Sequence, residues 1–247
     1  MDLTNIKENL KLSFAEYLSS VSSTQDIARQ VEEPPPYLIV AGSQEKGRGR
    51  FGRYWLSAEG GLYFTLVIEN LEPAWAVPLV VAYSVYVELR RVLISSALQY
   101  GLFLKWPNDI YHNSAKLVGV LVESWKNKLS IGVGINVNQE WKIGEYPVPA
   151  TSLFMISGRK YSLSEFLAEV LPPIFTNMEA LRKQGFTFFL DDVREALLAY
   201  GQPVQFKYKN QTFKATLYDI TDNGDALVNL ASGKRLKLPI MKVLGVN

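Results

Sequence analysis

The stretches LFLKWPNDIY (residues 102–111), KLVGVLVESW (116–125) and LSIGVGINVN (129–138) decide the fold class. Each is a short apolar run, and short turn segments separate the three. Such spacing is typical of neighbouring strands joined by hairpins. Because predicted helices lie on both sides of this meander, the sequence indicates an α+β protein with a mixed or mostly antiparallel sheet and flanking helices.

Further elements are predicted before and after these strands. On the N-terminal side we expect a short helix in SSTQDIARQVEE that ends at Pro34, strands in YLIVAG and GGLYFTLVIE, and a helix from residue 72 to about 94. On the C-terminal side we expect a helix in SEFLAEVL that Pro172 and Pro173 interrupt, then helical segments in IFTNMEALRKQ and LDDVREALLAY.

From about Gly201 the pattern changes to short strands: VQFKYK, TFKATLYDI, ALVNL, RLKL and MKVLGV. Turn residues separate the first four of them. Five strands in so short a length predict a small β-barrel of the SH3 type. We therefore divide the chain into a domain of residues 1–197 and a C-terminal domain of residues 198–247.

The composition argues against several kinds of site. Hydrophobic residues make up 48% of the chain, enough for a packed core. There is no cysteine and only one histidine, which argues against thiol chemistry, a Ser-His-Asp triad and a His-rich metal centre. The N-terminus does not resemble a signal peptide, and the longest apolar run is shorter than the roughly 20 residues of a membrane helix. We therefore expect a cytoplasmic protein without membrane association. Its net charge of +2 is low for a general nucleic-acid binder.

A basic, glycine-rich loop, EKGRGRFGRYW (45–55), is the most unusual segment. Glycine lets the backbone approach a ligand closely, and guanidinium groups bind phosphate or carboxylate oxygens. The loop has neither the Walker pattern nor G-x-G-x-x-G. From its residues alone, a phosphate-binding loop and a flexible, arginine-rich surface loop are equally good interpretations.

Polar residues also stand where predicted strands begin or end. Asn108 and Asp109 offer oxygens to Mg²⁺ or to an amine, although an Asx turn is the simpler interpretation. Lys116 opens an apolar strand, either as a solvated edge charge or as a cation beside a phosphate. The glycines of GVGINVN (132–138) imply close approach by a ligand or by another strand. Asn136 either reads a base edge or ends its strand.

Taken in order, GRGRFGRYW, KWPNDIY, KLVGVLVE and GVGINVN resemble the biotin protein ligase family, also called biotin–acetyl-CoA-carboxylase ligases. The resemblance is dense from Val21 to about Asn138, and it implies a catalytic domain like those of class II synthetases followed by an SH3-like domain. It also implies a reaction in two steps. Biotin and MgATP give biotinyl-5′-AMP and pyrophosphate, and biotin then passes to one lysine of a biotin carboxyl carrier protein. No tightly bound cofactor is implied.

The resemblance assigns roles to individual residues. The implied biotin-binding residues are Ser23, Thr24, Gln44, Arg48, Gly119 and Lys116. The implied residues for ATP and the adenylate are Arg48, Arg50, Trp55, Asn108 and Asn136. The implied catalytic residues are Lys116, with the largest share, Arg50 and Asp109. Asn108 and Asp109 would also line the side of the metal and the acceptor lysine, and we expect the basic loop to close when ligand binds.

Two departures and two alternatives accompany this resemblance. Regulatory members of the family carry an N-terminal winged helix, and here the catalytic pattern starts near Val21, so we expect no DNA binding. Gln25 stands where members often have Asn. A homodimer is common in the family and is allowed here. A lipoate ligase or octanoyltransferase of the same fold is less consistent with GRGRFGR and KWPND, and a nucleic-acid-binding module would leave Lys116 and the Asn–Asp pair unexplained.

Overall fold

Two β-sheets and six α-helices make up the part of the chain that the structure, a computed structural model, describes. That part comprises residues 1–94, 97–141, 149–198, 201–208 and 211–241. The strands of the larger sheet are β1 (Phe14–Leu18), β2 (Tyr37–Ala41), β3 (Leu62–Glu69), β4 (Leu102–Lys105), β5 (Asp109–His112), β6 (Ala115–Trp125) and β7 (Lys128–Ile135). The strands of the smaller sheet are β8 (Val204–Tyr208), β9 (Gln211–Ile220), β10 (Ala226–Leu230) and β11 (Arg235–Leu238). The helices are α1 (Thr4–Asn9), α2 (Thr24–Ala28), α3 (Val77–Leu93), α4 (Leu153–Ser157), α5 (Leu163–Gln184) and α6 (Leu190–Leu198).

The larger sheet is mixed, with strand order β1-β2-β3-β7-β6-β5-β4. Only β1 and β2 pair in parallel among its described strands, and every other neighbouring pair is antiparallel. The prediction of an α+β protein with a mixed sheet is confirmed. The stretch 102–111, however, holds two strands, β4 and β5, because the chain reverses between Lys105 and Asp109.

Helices α3 and α5 pack together and cover the sheet with a continuous apolar surface. The prediction that Pro172 and Pro173 interrupt α5 is wrong, because the helix runs through both residues. Its buried positions keep a helical period across the prolines, and this packing outweighs the local cost of a proline inside a helix. A partly buried hydrogen bond from Asn177 Nδ2 to Ser84 Oγ (2.9 Å) also joins the two helices.

Helix α2 is shorter than predicted and ends at Ala28 rather than at Pro34. Its buried end packs beneath Tyr37, whose hydroxyl donates to the Ala28 carbonyl oxygen at 2.8 Å. After Ala28 the chain closes into a turn, with the Val31 amide donating to the same carbonyl oxygen at 3.4 Å, and the helix does not continue. The short helix places Ser23 and Thr24 over the middle strands of the sheet, where Thr65 of β3 donates to Thr24.

The smaller sheet contains four antiparallel strands in the order β11-β10-β9-β8. The fifth predicted strand, MKVLGV, lies almost wholly outside the described residues. The indole Nε1 of Trp106 in the larger sheet's β4–β5 turn donates to the Gly224 carbonyl oxygen at 2.8 Å, and its ring lies 6.3 Å from that of Phe206. Trp106 therefore anchors the two sheets to each other. The division of the chain at residue 197 stays a prediction.

Within the described residues, no helix combines the length and the apolar character needed to span a membrane.

Trp106→Phe tests the anchor between the sheets. The substitution keeps an aromatic ring but leaves the buried Gly224 carbonyl without its donor, so we expect a loss of about 1–3 kcal/mol in the free energy of unfolding measured in urea. Trp125→Phe, at the partly exposed end of β6, is the control and is expected to change that free energy by less than about 0.5 kcal/mol. Equal effects of the two substitutions would contradict the anchor.

Candidate active site

One face of β6 and β7 lacks side chains at three neighbouring positions, Gly119, Gly132 and Gly134. Gly119 pairs with Gly134 across the two strands, and Gly132 lies two residues along β7 on the same face. A Cβ added at Gly134 would lie 2.5 Å from Trp55 Nε1, and one at Gly132 would lie 2.6 Å from Gln25 Nε2. The close approach that strand glycines predict is therefore made by side chains lying flat on the sheet.

The basic loop folds back on itself as a tight hairpin and carries Trp55 to that glycine face. Gly49 N donates to Arg53 O (2.7 Å), and Trp55 N donates to Gly47 O (2.8 Å). Gly47 has no room for a side chain, since an added Cβ would lie 2.4 Å from Trp55 O. The glycines of this loop thus serve the hairpin itself as well as any ligand.

A buried polar wall stands beside the glycine face. Gln44 Oε1 accepts from the backbone N (2.8 Å) and Oγ1 (3.1 Å) of Thr24, and Gln44 Nε2 donates to Ser57 Oγ (2.8 Å). Thr65 Oγ1 donates to Thr24 Oγ1 at 2.9 Å. Ser23 is buried next to Thr24 at the N-cap of α2. The structure thus brings Ser23, Thr24 and Gln44 together, and it adds Ser57 and Thr65, which sequence reasoning missed.

Gln25 is a second residue that was missed as part of the site. Its Nε2 donates to the Leu121 carbonyl oxygen at 3.1 Å, while its buried Oε1 has no hydrogen-bond partner among the described residues. An unpaired buried acceptor costs free energy, and a ligand or a water molecule that donates a hydrogen bond would relieve that cost. The available signal is its place directly after Ser23 and Thr24.

Lys116 and Asp109 form an ion pair at the end of the glycine face nearest the loop. Lys116 Nζ lies 2.7 Å from Asp109 Oδ2, and both side chains are only 20% exposed. The register explains the contact, because Asp109 pairs with Gly119, three residues beyond Lys116 on β6, and a bulge lies between Ile110 and Tyr111. Lys116 Nζ also lies 5.1 Å from the centre of the Trp55 ring. Lys116 is therefore no solvated edge charge.

Arg50 reaches the same region from the loop. Its Nη1 donates to Asn108 Oδ1 at 2.7 Å, and Asn108 Nδ2 donates to the Val120 carbonyl oxygen at 2.5 Å. Burial lowers the pKa of the Arg50 guanidinium to about 10, with Asp109 opposing the shift and Arg53 adding to it. Arg50 stays charged at neutral pH but is poorly solvated, which favours contact with an anion.

Lys105 adds a cation that sequence reasoning missed. Burial lowers the pKa of its ammonium group, and the nearby Asp109 partly counteracts this. Lys105 Nζ lies 3.3 Å from the Tyr111 hydroxyl oxygen and 4.6 Å from the centre of the Tyr111 ring. The residue stands inside the motif KWPND, but only the pairing of β4 with β5 reveals that it faces Asp109.

The oxygens of Asn108 and Asp109 are directed at cations of the protein, Arg50 and Lys116 respectively. Among the residues that the structure describes, no group of three or more His, Asp or Glu side chains is arranged to hold a metal ion. Two oxygens already paired with cations do not fit a resident Mg²⁺ site. We therefore assign no step to a metal held by this pair.

The last two predicted residues lie on different sides of this centre. Asn136, just after β7, is buried, donates through Nδ2 to the Lys116 carbonyl oxygen (3.4 Å) and leaves Oδ1 unpaired within the described residues. Arg48, in contrast, pairs with carboxylates of α2 and β6: its Nη2 lies 3.0 Å from Asp26 Oδ1 and 3.1 Å from Glu123 Oε2. The two arginines of GRGR therefore point to different partners.

Comparison with known proteins shows which family the chain belongs to. Residues 17–140 match the model of the biotin/lipoate A/B protein ligase family, and the chain belongs to that family. A solved biotin protein ligase from Aquifex aeolicus, in complex with biotin and ATP, is 33% identical in sequence. The superposition covers 92% of this chain and 96% of that one, with a TM-score of 0.80.

Two curated relatives extend the comparison. The Bifunctional ligase/repressor BirA of Bacillus spizizenii is 29% identical over 88% of this chain and 70% of its own length. The Biotin--[acetyl-CoA-carboxylase] ligase of Paracoccus denitrificans is 27% identical over 80% of this chain and 86% of its own length. The similarity thus extends well beyond the motifs of the site.

Gly134→Ala tests whether the indole of Trp55 lies on the glycine face. The added methyl group overlaps Trp55 Nε1, so we expect a loss of about 1–3 kcal/mol in the free energy of unfolding. In a Trp55→Ala background the same change is expected to cost less than about 0.5 kcal/mol, because the overlap is gone. Urea denaturation of the four proteins gives the answer, and an equal cost in both backgrounds would place the indole elsewhere.

Proposed function

We propose that this protein is an ATP-dependent biotin ligase that forms biotinyl-5′-AMP and transfers biotin to one lysine of a biotin carboxyl carrier protein. One observation carries the proposal: the half-buried Lys116–Asp109 ion pair and the partly buried Arg50 meet beside the glycine face of β6 and β7. Family membership and the similarity to a ligase solved with biotin and ATP support it.

The first step joins two anions, and the site is built for that difficulty. A carboxylate oxygen of biotin attacks the α-phosphorus of ATP, the bond to the β-phosphate bridging oxygen breaks, and pyrophosphate leaves with its electron pair. Lys116 and Arg50 neutralise the negative charge that gathers on the α-phosphate, and no protein nucleophile is needed. Mg²⁺ enters with ATP as part of the substrate.

The second step needs a carboxylate near the reacting carbonyl. The acceptor lysine first gives its ammonium proton to solvent, and the neutral amine attacks that carbonyl. The C–O bond to the phosphate breaks, AMP leaves with its electron pair, and the new amide nitrogen passes its second proton to solvent. We assign Asp109 to hold the incoming ammonium group, since the phosphate of the adenylate competes for Lys116 and frees the carboxylate of Asp109 from its ion pair. Lys116 then pairs with the phosphate and Asp109 pairs with the acceptor ammonium group, so neither side chain is left without an opposite charge.

The remaining residues are assigned to binding. The polar wall of Ser23, Thr24 and Gln44 suits the ureido ring of biotin, with Gly119 as floor and Arg48 at the rim. The adenine is assigned to Trp55, for stacking, and to Asn136, whose unpaired Oδ1 suits an amino group. Asn108, which orients Arg50, completes the adenylate site. We assign residues 1–197 to catalysis.

ATP–pyrophosphate exchange tests the function directly. The purified protein is expected to exchange label between pyrophosphate and ATP when biotin is present, and a carrier domain with its single acceptor lysine should become biotinylated. Lipoate and octanoate are the alternative acids of the same fold. Exchange stimulated by lipoate and not by biotin would overturn the proposal, as would salt-sensitive duplex binding without any exchange.

Lys116→Ala tests the principal cation. Loss of its charge removes stabilisation of the α-phosphate, so we expect biotin-dependent exchange to fall at least ~100-fold, while the thermal unfolding midpoint stays close to that of the parent protein. Lys183→Ala, at an exposed site on α5, is the matched control and should keep full activity. Near-normal exchange in Lys116→Ala would refute the assigned role.

Arg50→Gly tests retention of the intermediate. Removing a buried guanidinium that faces the adenylate should speed release of biotinyl-5′-AMP about 10- to 100-fold, so that bystander proteins become labelled. Release is measured with radiolabelled biotin. Lys46→Gly, an exposed cation in the same loop, controls for glycine and for charge. If Arg50→Gly retains biotinyl-5′-AMP as well as Lys46→Gly does, the role assigned to Arg50 is wrong.

A further inference from the structure

Four charged side chains form a cluster outside the Lys116–Asp109 centre, which we call the rim cluster: Asp26, Arg29, Arg48 and Glu123. Glu123 Oε2 lies 3.1 Å from Arg48 Nη2 and 3.2 Å from Arg29 Nη2, and Asp26 Oδ1 lies 3.0 Å from Arg48 Nη2. Each side chain is between 30% and 39% exposed. The cluster alternates in charge and joins three separate elements: α2, the basic loop and β6.

Arg48 is the member on which the cluster converges. A single exposed ion pair contributes little, but here one guanidinium contacts two carboxylates that belong to different elements. Both contacts exist together only while the loop lies against α2 and β6. The cluster therefore fixes the position of the loop and contributes little to the overall free energy of unfolding.

Because the basic loop is a hairpin, fixing Arg48 also fixes the loop residues that reach the candidate active site. Arg48 forms a β-bridge with Tyr54 across the loop, so holding Arg48 holds both limbs. Trp55 follows on one limb and lies on the glycine face, and Arg50 follows on the other and reaches Asn108. Release of Arg48 would loosen both side chains at once.

We propose that Asp26 and Glu123 are positioning residues that act through Arg48. They hold the basic loop over the glycine face, and, given the proposed function, they set how long biotinyl-5′-AMP stays bound. Neither carboxylate touches the reacting atoms. Adenylate formation depends on Lys116 and Arg50. At saturating biotin and ATP the bound phosphates draw Arg50 into place, so formation stays largely unchanged when Asp26 or Glu123 is neutralised.

Limited trypsin cleavage tests the hold without any substrate. Trypsin cuts after the cations of residues 46–53, and cleavage of a locally opening segment reports the population of the open form. We expect Asp26→Asn/Glu123→Gln to be cut in this loop about 3- to 10-fold faster than the parent protein. Glu169→Gln on α5, which removes the exposed ion pair with Arg91 of α3, is the matched control and should cleave as the parent does.

The rate of loop cleavage at high salt is a second measurement, and a packing defect would not make that rate depend on salt. At 1 M NaCl, screening should raise the parent's loop cleavage toward that of the double variant, with Glu169→Gln at the same salt as the reference. The double variant should respond much less, because its ion pairs are already gone. Equal salt responses in the parent and the double variant would overturn the proposal.

The functional arm measures formation and release of biotinyl-5′-AMP separately. The double variant should release it about 3- to 10-fold faster, with formation at saturating substrates within about 2-fold of the parent. Unchanged loop cleavage, or a fall in formation with the loop still protected, would overturn the proposal. If the parent protein makes no biotinyl-5′-AMP, the proposed function fails, while the cleavage and salt results still decide whether the rim cluster holds the loop.

Discussion

The absence of side chains at Gly119, Gly132 and Gly134 is the constraint on which the candidate site depends. Glycine inside a strand loses packing and costs conformational entropy. What offsets that cost here is the space it creates, since any Cβ at these positions would overlap Gln25 or Trp55. The sheet itself therefore forms the floor of the site, and the hairpin of the basic loop forms its cover. Under the proposed function, biotin and the adenylate share this floor once the Trp55 indole moves off Gly119 and Gly134.

Electrostatics explain the rest of the site. Arg50 and Lys105 have lowered pKa values because burial removes water from their charges, and Lys116 is paired with Asp109. The excess of half-buried positive charge around Asp109 and Asn108 is costly in a ligand-free protein. A phosphate placed among these cations would relieve that cost. This arrangement suits a reaction in which two anions meet and charge builds on phosphate, with no covalent intermediate on the protein.

Much of the fold and the site followed from the sequence, and the exceptions have physical causes. Short apolar runs separated by turns revealed the strands of the meander, and the resemblance to the biotin protein ligase family pointed to Lys116, Asp109 and Arg50. Strand β1 escaped prediction because FAEYL is short and none of its residues is fully buried, so it lacks the strong apolar pattern of the other strands. Lys105 and Glu123 escaped because a charged residue in a strand resembles a solvated edge charge until the strand pairing places it. The site assignments themselves stay predictions about ligands.

Calorimetric binding of two adenylate mimics tests the central claim, that the site recognises the charge of the phosphate on a glycine floor. One mimic joins biotin to adenosine through an anionic phosphodiester, and the other through a neutral sulfone of similar length. The account predicts that the parent protein binds the anionic mimic at least ~10-fold more tightly and that Lys116→Ala loses most of this preference. Equal affinity of the parent protein for the two mimics would contradict it.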